Sequence, residues 1–312
     1  ASGACGGFGN SSTITSISES ALATGCYRYT LTGTDNVGNT SVLRTVVQVD
    51  VTAPSVVITE TGANAVQTGS TIYYRGDLAS SIVLSAAVTD AASGAASATF
   101  PAVATTGWTH NAETISSAAS TSGTTKTYNS SNFSWTASPS NPGSYTVTGT
   151  DAAGNTGTSA VTFTSDTTGP TGGTLTVDGV TATSDGTAVR VITDENDNFS
   201  GSKTNYSADA GSGYASTTLT REVSTSSSCA IFGSLTTISS ISEKGPGDKN
   251  PTTSNDRCYR YTLTGTDNLG NTSTVSVIVS ITDNADPTPV LTMGTATNAV
   301  LKQSSSTAAT IY

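Results

Sequence analysis

Six aspartates recur at near-fixed intervals. Asp35, Asp151 and Asp267 each open a short glycine-containing segment, DNVGN, DAAGN or DNLGN, and Asp50, Asp166 and Asp283 follow 15, 15 and 16 residues later. Each of the later three precedes a proline by four positions, at Pro54, Pro170 and Pro287. Hard divalent cations require several oxygen ligands, so all six carboxylates gathered near the ends of structural units would suit calcium and would stiffen a junction. The plainer reading ranks first: the turn aspartates cap local backbone groups, and the linker aspartates merely precede a proline. Asp194, Asn196 and Asn198 in DENDNFSG show the alternating oxygens of a calcium loop. Gly201 is misplaced for that motif and no closing glutamate follows, so an ordinary polar loop is expected there.

Catalytic chemistry finds little support. The one histidine, His110, stands in a Thr- and Gly-rich context and reads as a solvated loop residue. No GxSxG, phosphate-cradling glycine loop or HExxH occurs. Among 22 acidic residues a glycosidase-type pair is conceivable on numbers alone, but the six aspartates above recur from unit to unit, which favours a structural role. Lys126 and Lys203 lie among polar residues, unlike lysines that form intramolecular bonds to asparagine. The expectation is a protein that is not an enzyme and has no catalytic residues.

Composition narrows the class further. Serine and threonine supply 47 and 61 of the 312 residues, and charged residues only 11%. β-Branched threonine packs well on a pleated surface. A net charge of −10 argues against a nucleic-acid partner, whose phosphates require a clustered basic surface. The apolar runs, such as 81 to 88, fall far short of the roughly 20 residues of a membrane-spanning helix.

These residues are held in a repeat. Residues 29–39, 145–155 and 261–271 read YTLTGTDNVGN, YTVTGTDAAGN and YTLTGTDNLGN. The first and third copies agree more deeply, since residues 26–41 and 258–273 differ only at Val37 against Leu269. The prolines lie 116 and 117 residues apart, which sets a unit near 115 residues. At the far end, NAV and TIY (298–300, 310–312) repeat NAV and TIY of 64–66 and 71–73. The chain therefore reads as residues 1–51, the second part of one domain; complete domains at 54–166 and 170–283; and 287–312, the first part of a further one. It reads as a window on a longer repetitive polypeptide.

Each unit has the period of two of a half-buried strand: Tyr29, Leu31 and Gly33 face inward and Thr30, Thr32 and Thr34 outward. Residues 81–90, 159–166 and 275–283 give further strands. The glycine-containing segments give turns between the last two strands of each unit, with glycine at positive φ. No helical periodicity is present, and many short strands per unit suggest a sandwich of two sheets.

The run PGSYTVTGTDAAGNT, followed by a strand ending in Asp and a short link to Pro, resembles the bacterial immunoglobulin-like repeats found in tandem in large surface proteins and adhesins. That resemblance implies an all-β chain of tandem immunoglobulin-like β-sandwich domains arranged as an extended rod. Pro142 to Tyr145 resemble the start of strand F, where a tyrosine folds its hydroxyl back to the backbone. The inter-sheet disulfide is absent, since Leu31 and Val147 stand where the strand F cysteine would fall, and Trp135 sits just before strand F. The implied role is a non-enzymatic stalk, fibre or filament outside the cell on a bacterial surface. Its partners would be neighbouring domains of the same chain or of other copies, with calcium possible at the junctions. Two alternatives are an adhesin module binding a glycan or protein through its loops, with TIYYRGD and its Tyr73 and Tyr74 an exposed-aromatic candidate whose plainer reading is an edge strand, and an accessory region of a secreted enzyme.

Among the three possible pairings of four cysteines, the repeat favours Cys5 with Cys26 and Cys229 with Cys258, because both pairs occupy equivalent places. The second separation is eight residues longer, within a Gly-, Pro- and Asn-rich insertion. Disulfides imply an oxidising compartment. Seven N-x-Ser/Thr sites, at Asn10, Asn39, Asn129, Asn132, Asn198, Asn205 and Asn271, match what chance yields at this Ser and Thr content. If the chain is a processed subunit, 287–312 of one copy would supply opening strands to 1–51 of the next.

Overall fold

The computed structural model describes residues 5–193, 197–224, 228–244 and 257–282, and the backbone of 301–305 and 308–311. Every regular element among them is a strand. No helix there is long and apolar enough to cross a membrane. The first, β1 (Gly25–Thr34) and β2 (Thr40–Val49), form an antiparallel hairpin with Leu31 opposite Leu43.

Twelve strands follow: β3 (Ser55–Thr61), β4 (Ala65–Thr68), β5 (Thr71–Tyr74), β6 (Ser80–Thr89), β7 (Ala95–Phe100), β8 (Trp108–Thr109), β9 (Glu113–Ile115), β10 (Ser120–Ser122), β11 (Thr125–Asn129), β12 (Phe133–Trp135), β13 (Gly143–Asp151) and β14 (Thr156–Ser165). They make two sheets, β10-β11-β6-β12-β8 with β3 also on β6, and β4-β5-β14-β13-β7-β9. Strand β5 adds in parallel to the edge of β14. The apolar cluster of this unit runs from Ile58 to Phe163 and includes Ile72, Tyr74, Leu84, Phe133 and Val147.

The next unit holds β15 (Thr174–Val177), β16 (Val180–Thr181), β17 (Ala188–Ile192), β18 (Phe199–Thr204), β19 (Tyr214–Ser224), β20 (Thr236–Ile238), β21 (Ser242–Glu243), β22 (Arg257–Asp267) and β23 (Thr272–Ile281). Its sheets are β16-β15-β18-β21 and β17-β23-β22-β19-β20, with β17 parallel to β23 as β5 is to β14. A separate apolar cluster from Leu175 to Ile281 lies between them. A last hairpin joins β24 (Leu301–Ser305) to β25 (Ala308–Ile311). The chain is all-β, built as tandem β-sandwiches.

The expected alternation holds in both complete sandwiches: Tyr145, Val147 and Gly149, and Tyr261, Leu263 and Gly265, are buried. Glycine in the repeated TGTD has a steric reason. A Cβ on Gly149 would lie 2.7 Å from Val56 Cγ2 and 2.9 Å from Val88 Cγ1, too close for any other residue. In β1 the inward expectation for Leu31 fails: it is 71% exposed, because no second sheet covers this hairpin among the described residues. The Tyr145 hydroxyl does return to the backbone, donating to the Pro101 carbonyl at 2.7 Å, but across the unit and not within its own strand turn.

Tyr74 is fully buried, edge-on to Trp108 and Trp135, and its hydroxyl donates to Asn141 Oδ1 at 2.7 Å, so TIYYRGD begins as the strand of the plainer reading and does not present two exposed aromatics. Tyr73 is only half-buried, but it lies in β5. His110 is not a solvated loop residue; it is 4% exposed and stacked 3.7 Å from the Phe133 ring. Alternation places it inward, and the aromatic stack replaces water on its face. Its Nδ1 lies 3.4 Å from the Asn132 carbonyl, and its Nε2 has no hydrogen-bond partner and sits 3.9 Å from Glu113.

Burial holds His110 below its ordinary pKa, against the smaller opposing effects of the Asn132 carbonyl and Glu113. The unfolded chain then takes up a proton that the folded unit refuses as pH falls through about 6.5. Stability is therefore complete above that value and declines below it. Melting the full chain between pH 7 and 5 should show the transition of this sandwich falling, and His110→Gln should flatten that slope. An unchanged slope in the variant refutes the assignment.

Candidate cation seats between the sandwiches

The repeated aspartates meet across the junctions. Asp50, which follows β2, Asp90, which follows β6, and Asp151, at the end of β13, place carboxylate oxygens within 4.8 Å of one another, and all three are buried. Asp166 after β14, Asp209 before β19 and Asp267 at the end of β22 form a second such triad. Each linker aspartate thus joins the turn aspartate of the following unit, not that of its own.

Four of the six predicted positions are brought together: Asp50 with Asp151, and Asp166 with Asp267. Asp35 remains in an exposed turn outside both triads, and Asp283 lies outside the described residues. Asp194 and Asn196 of the other predicted loop also lie outside them, and Asn198 is exposed. The sequence reading missed Asp90 and Asp209. Their signal was available, since both begin the same short pattern, DAASG at 90–94 and DAGSG at 209–213.

The two triads are built bond for bond alike. In the turns, Asp151 Oδ1 accepts the amides of Ala153 and Asn155 at 2.9 and 2.8 Å, and Asp267 Oδ1 accepts those of Leu269 and Asn271 at 2.9 and 2.7 Å. Gly154 and Gly270, at φ +95° and +85°, close these loops. In the DAxSG loops, Asp90 accepts the amides of Ala92 and Gly94, and Asp209 those of Gly211 and Gly213. Ser93 and Ser212 then donate their amides to the linker carboxylates, Asp50 at 3.0 Å and Asp166 at 2.7 Å. The side-chain amides of Asn155 and Asn271 donate to the backbone carbonyls of Asp50 and Asp166 at 3.1 and 3.2 Å. The local capping role is real, and the same aspartates also converge.

Hydrogen bonds from Ser93, and next from Thr52, hold Asp50 far below the usual carboxylate range. Three ionised carboxylates this close repel one another unless positive charge enters. Beside the second triad, the hydroxyl of Ser212, 2% exposed, is buried without a hydrogen-bond partner. The donor set is oxygen alone, which suits calcium or magnesium and not the nitrogen- and sulfur-seeking metals. Main-chain carbonyls and water would complete the about six to eight ligands that calcium takes.

The cysteines pair as the repeat suggested. Cys5 bonds to Cys26 and Cys229 to Cys258, with Cα atoms 5.7 and 5.4 Å apart. Each bridge is accompanied by an arginine over a phenylalanine ring, Arg28 over Phe8 and Arg260 over Phe232, both at 4.4 Å.

No family model matches the chain, and no curated protein does. Solved structures do. A Ca2+-stabilized adhesin that helps an Antarctic bacterium reach out and bind ice is 18% identical over 83% of this chain and 57% of its own, with a TM-score of 0.35. A tetra-tandem repeat from the extending region of a large adhesion protein is 21% identical over 83% and 57%, with a TM-score of 0.25. The protocadherin γB4 extracellular domain is 11% identical over 84% and 38%, with a TM-score of 0.22. The chain spans little more than half of the length of the first two.

Proposed function

We propose that this chain is a non-enzymatic spacer from an extracellular bacterial surface protein: immunoglobulin-like units at 54–166 and 170–283, with parts of two more at 1–51 and 287–312, forming a stalk whose junctions calcium stiffens. The observation that carries this reading is the repetition of one oxygen triad at two successive junctions, each drawing ligands from both flanking units. A carboxylate set that spans a seam transmits its bound charge to the angle between units, which a site inside one unit cannot do. The linkers support the same role, because Pro54 and Pro170 restrict the chain where freedom would otherwise concentrate. The disulfides suit an oxidising compartment.

Small-angle scattering of the full chain tests the reading. In millimolar calcium the profile should be that of a stiff rod. In chelator the maximum dimension should become more broadly distributed as the first junction loosens, while each sandwich stays folded. Profiles that do not respond to calcium, together with no heat of binding by calorimetry, refute it.

A further inference from the structure

We infer that Arg75 is a latch for the junction between the two complete sandwiches, gripping the turn of the following unit and placing a permanent positive charge beside its acidic seam. Arg75 directly follows β5, and its guanidinium donates through NH1 to the Leu269 carbonyl of the next unit at 3.4 Å. The same guanidinium is braced on its other edge by Asp77, Nε to Oδ1 at 2.8 Å and NH2 to Oδ2 at 2.6 Å. A planar guanidinium clamped at two atoms has little freedom left, so its third donor is aimed before the neighbour arrives.

The platform beneath it is rigid for independent reasons. The Arg75 amide donates to Asn64 and its carbonyl accepts the indole of buried Trp135 at 2.8 Å. The Gly76 carbonyl accepts the Ser138 amide at 2.7 Å. On the other side of the seam, Leu269 is 8% exposed yet belongs to neither sandwich core. The residue at its place in the uncovered hairpin, Val37, is 83% exposed, so burial of this turn tip is the work of the junction. The φ of +85° at Gly270 requires glycine in this turn, and Arg75 NH1 lies 3.8 Å from where a Cβ would sit, at ordinary packing distance. The carboxylates acting on Arg75 are Asp77, then Asp267 and Asp166, two members of the second triad.

The consequence deepens the calcium reading, on which it rests for the role of the triad. This junction carries its own partial counter-charge and grip, and it keeps its alignment when calcium is withdrawn. Electron–electron distance measurements between nitroxides at Thr158→Cys and Thr274→Cys, both exposed, report it, with the native cysteines held in their disulfides. In chelator the parent chain should give one narrow distance peak, and Arg75→Gln should at least double its width, with Arg75→Lys between them. A parent peak already broad in chelator, or an Arg75→Gln peak as narrow as the parent's, overturns the latch. Tryptophan fluorescence reports whether the variant folds; if Arg75→Gln does not, Arg75→Lys carries the test, and a width equal to the parent's overturns the proposal. A calcium titration of the parent chain separates the two ideas: no binding defeats the calcium reading and leaves the latch result standing.

Discussion

Asp90→Asn combined with Asp209→Asn should abolish the gain in melting temperature that calcium gives the parent chain. At a calcium concentration of about 100 times Kd, a ligand that binds only the folded state adds about 2.7 kcal/mol. For sandwiches of this size that corresponds to a shift on the order of 10 °C. Asparagine keeps an oxygen to accept the loop amides that Asp90 and Asp209 now receive, so the loops retain their shape while each triad loses one charge. The same change relieves repulsion among the carboxylates, so without calcium the double variant should melt at or above the parent. Calorimetric scans of both proteins with calcium and with chelator check both signs. An equal calcium-induced rise in the two proteins removes the triads from the account, and a variant that melts lower in chelator shows the carboxylates to be mere loop caps.

Reduction of Cys229–Cys258 should lower the stability of the second complete sandwich by about 3 to 4 kcal/mol, the loop-closure entropy for a 29-residue separation. The preceding sandwich, β3 to β14, contains no cysteine and serves as an internal reference. Denaturant titration with and without reductant should therefore split one shared pair of transitions into a shifted and an unshifted one. The bridge closes across β22, where Arg260 also pairs with Glu222 at 2.7 Å, so some residual anchoring persists after reduction. Equal shifts in both sandwiches, or none in the second, would show that the loop is held by its other contacts.

The strands and turns were legible because they follow from period-two patterning and from glycines in short turns, both local in sequence. The pairing of cysteines was legible from the repeat. His110 was not, because a lone polar residue carries no sign of its face; an aromatic neighbour 23 residues away, Phe133, decided its burial. Which face of its strand Tyr74 takes was hidden for the same reason, since its partners Trp108 and Trp135 arrive from other strands.

An all-β chain of repeated units, its turn aspartates and its disulfide partners all follow from the order of residues, since each depends on near neighbours or on an internal copy. Which carboxylates meet is settled by the folding of whole units against one another. A linker aspartate faces the turn of the next unit, and a third acid comes from a loop some 40 residues beyond the linker, distances over which residue spacing carries no direction.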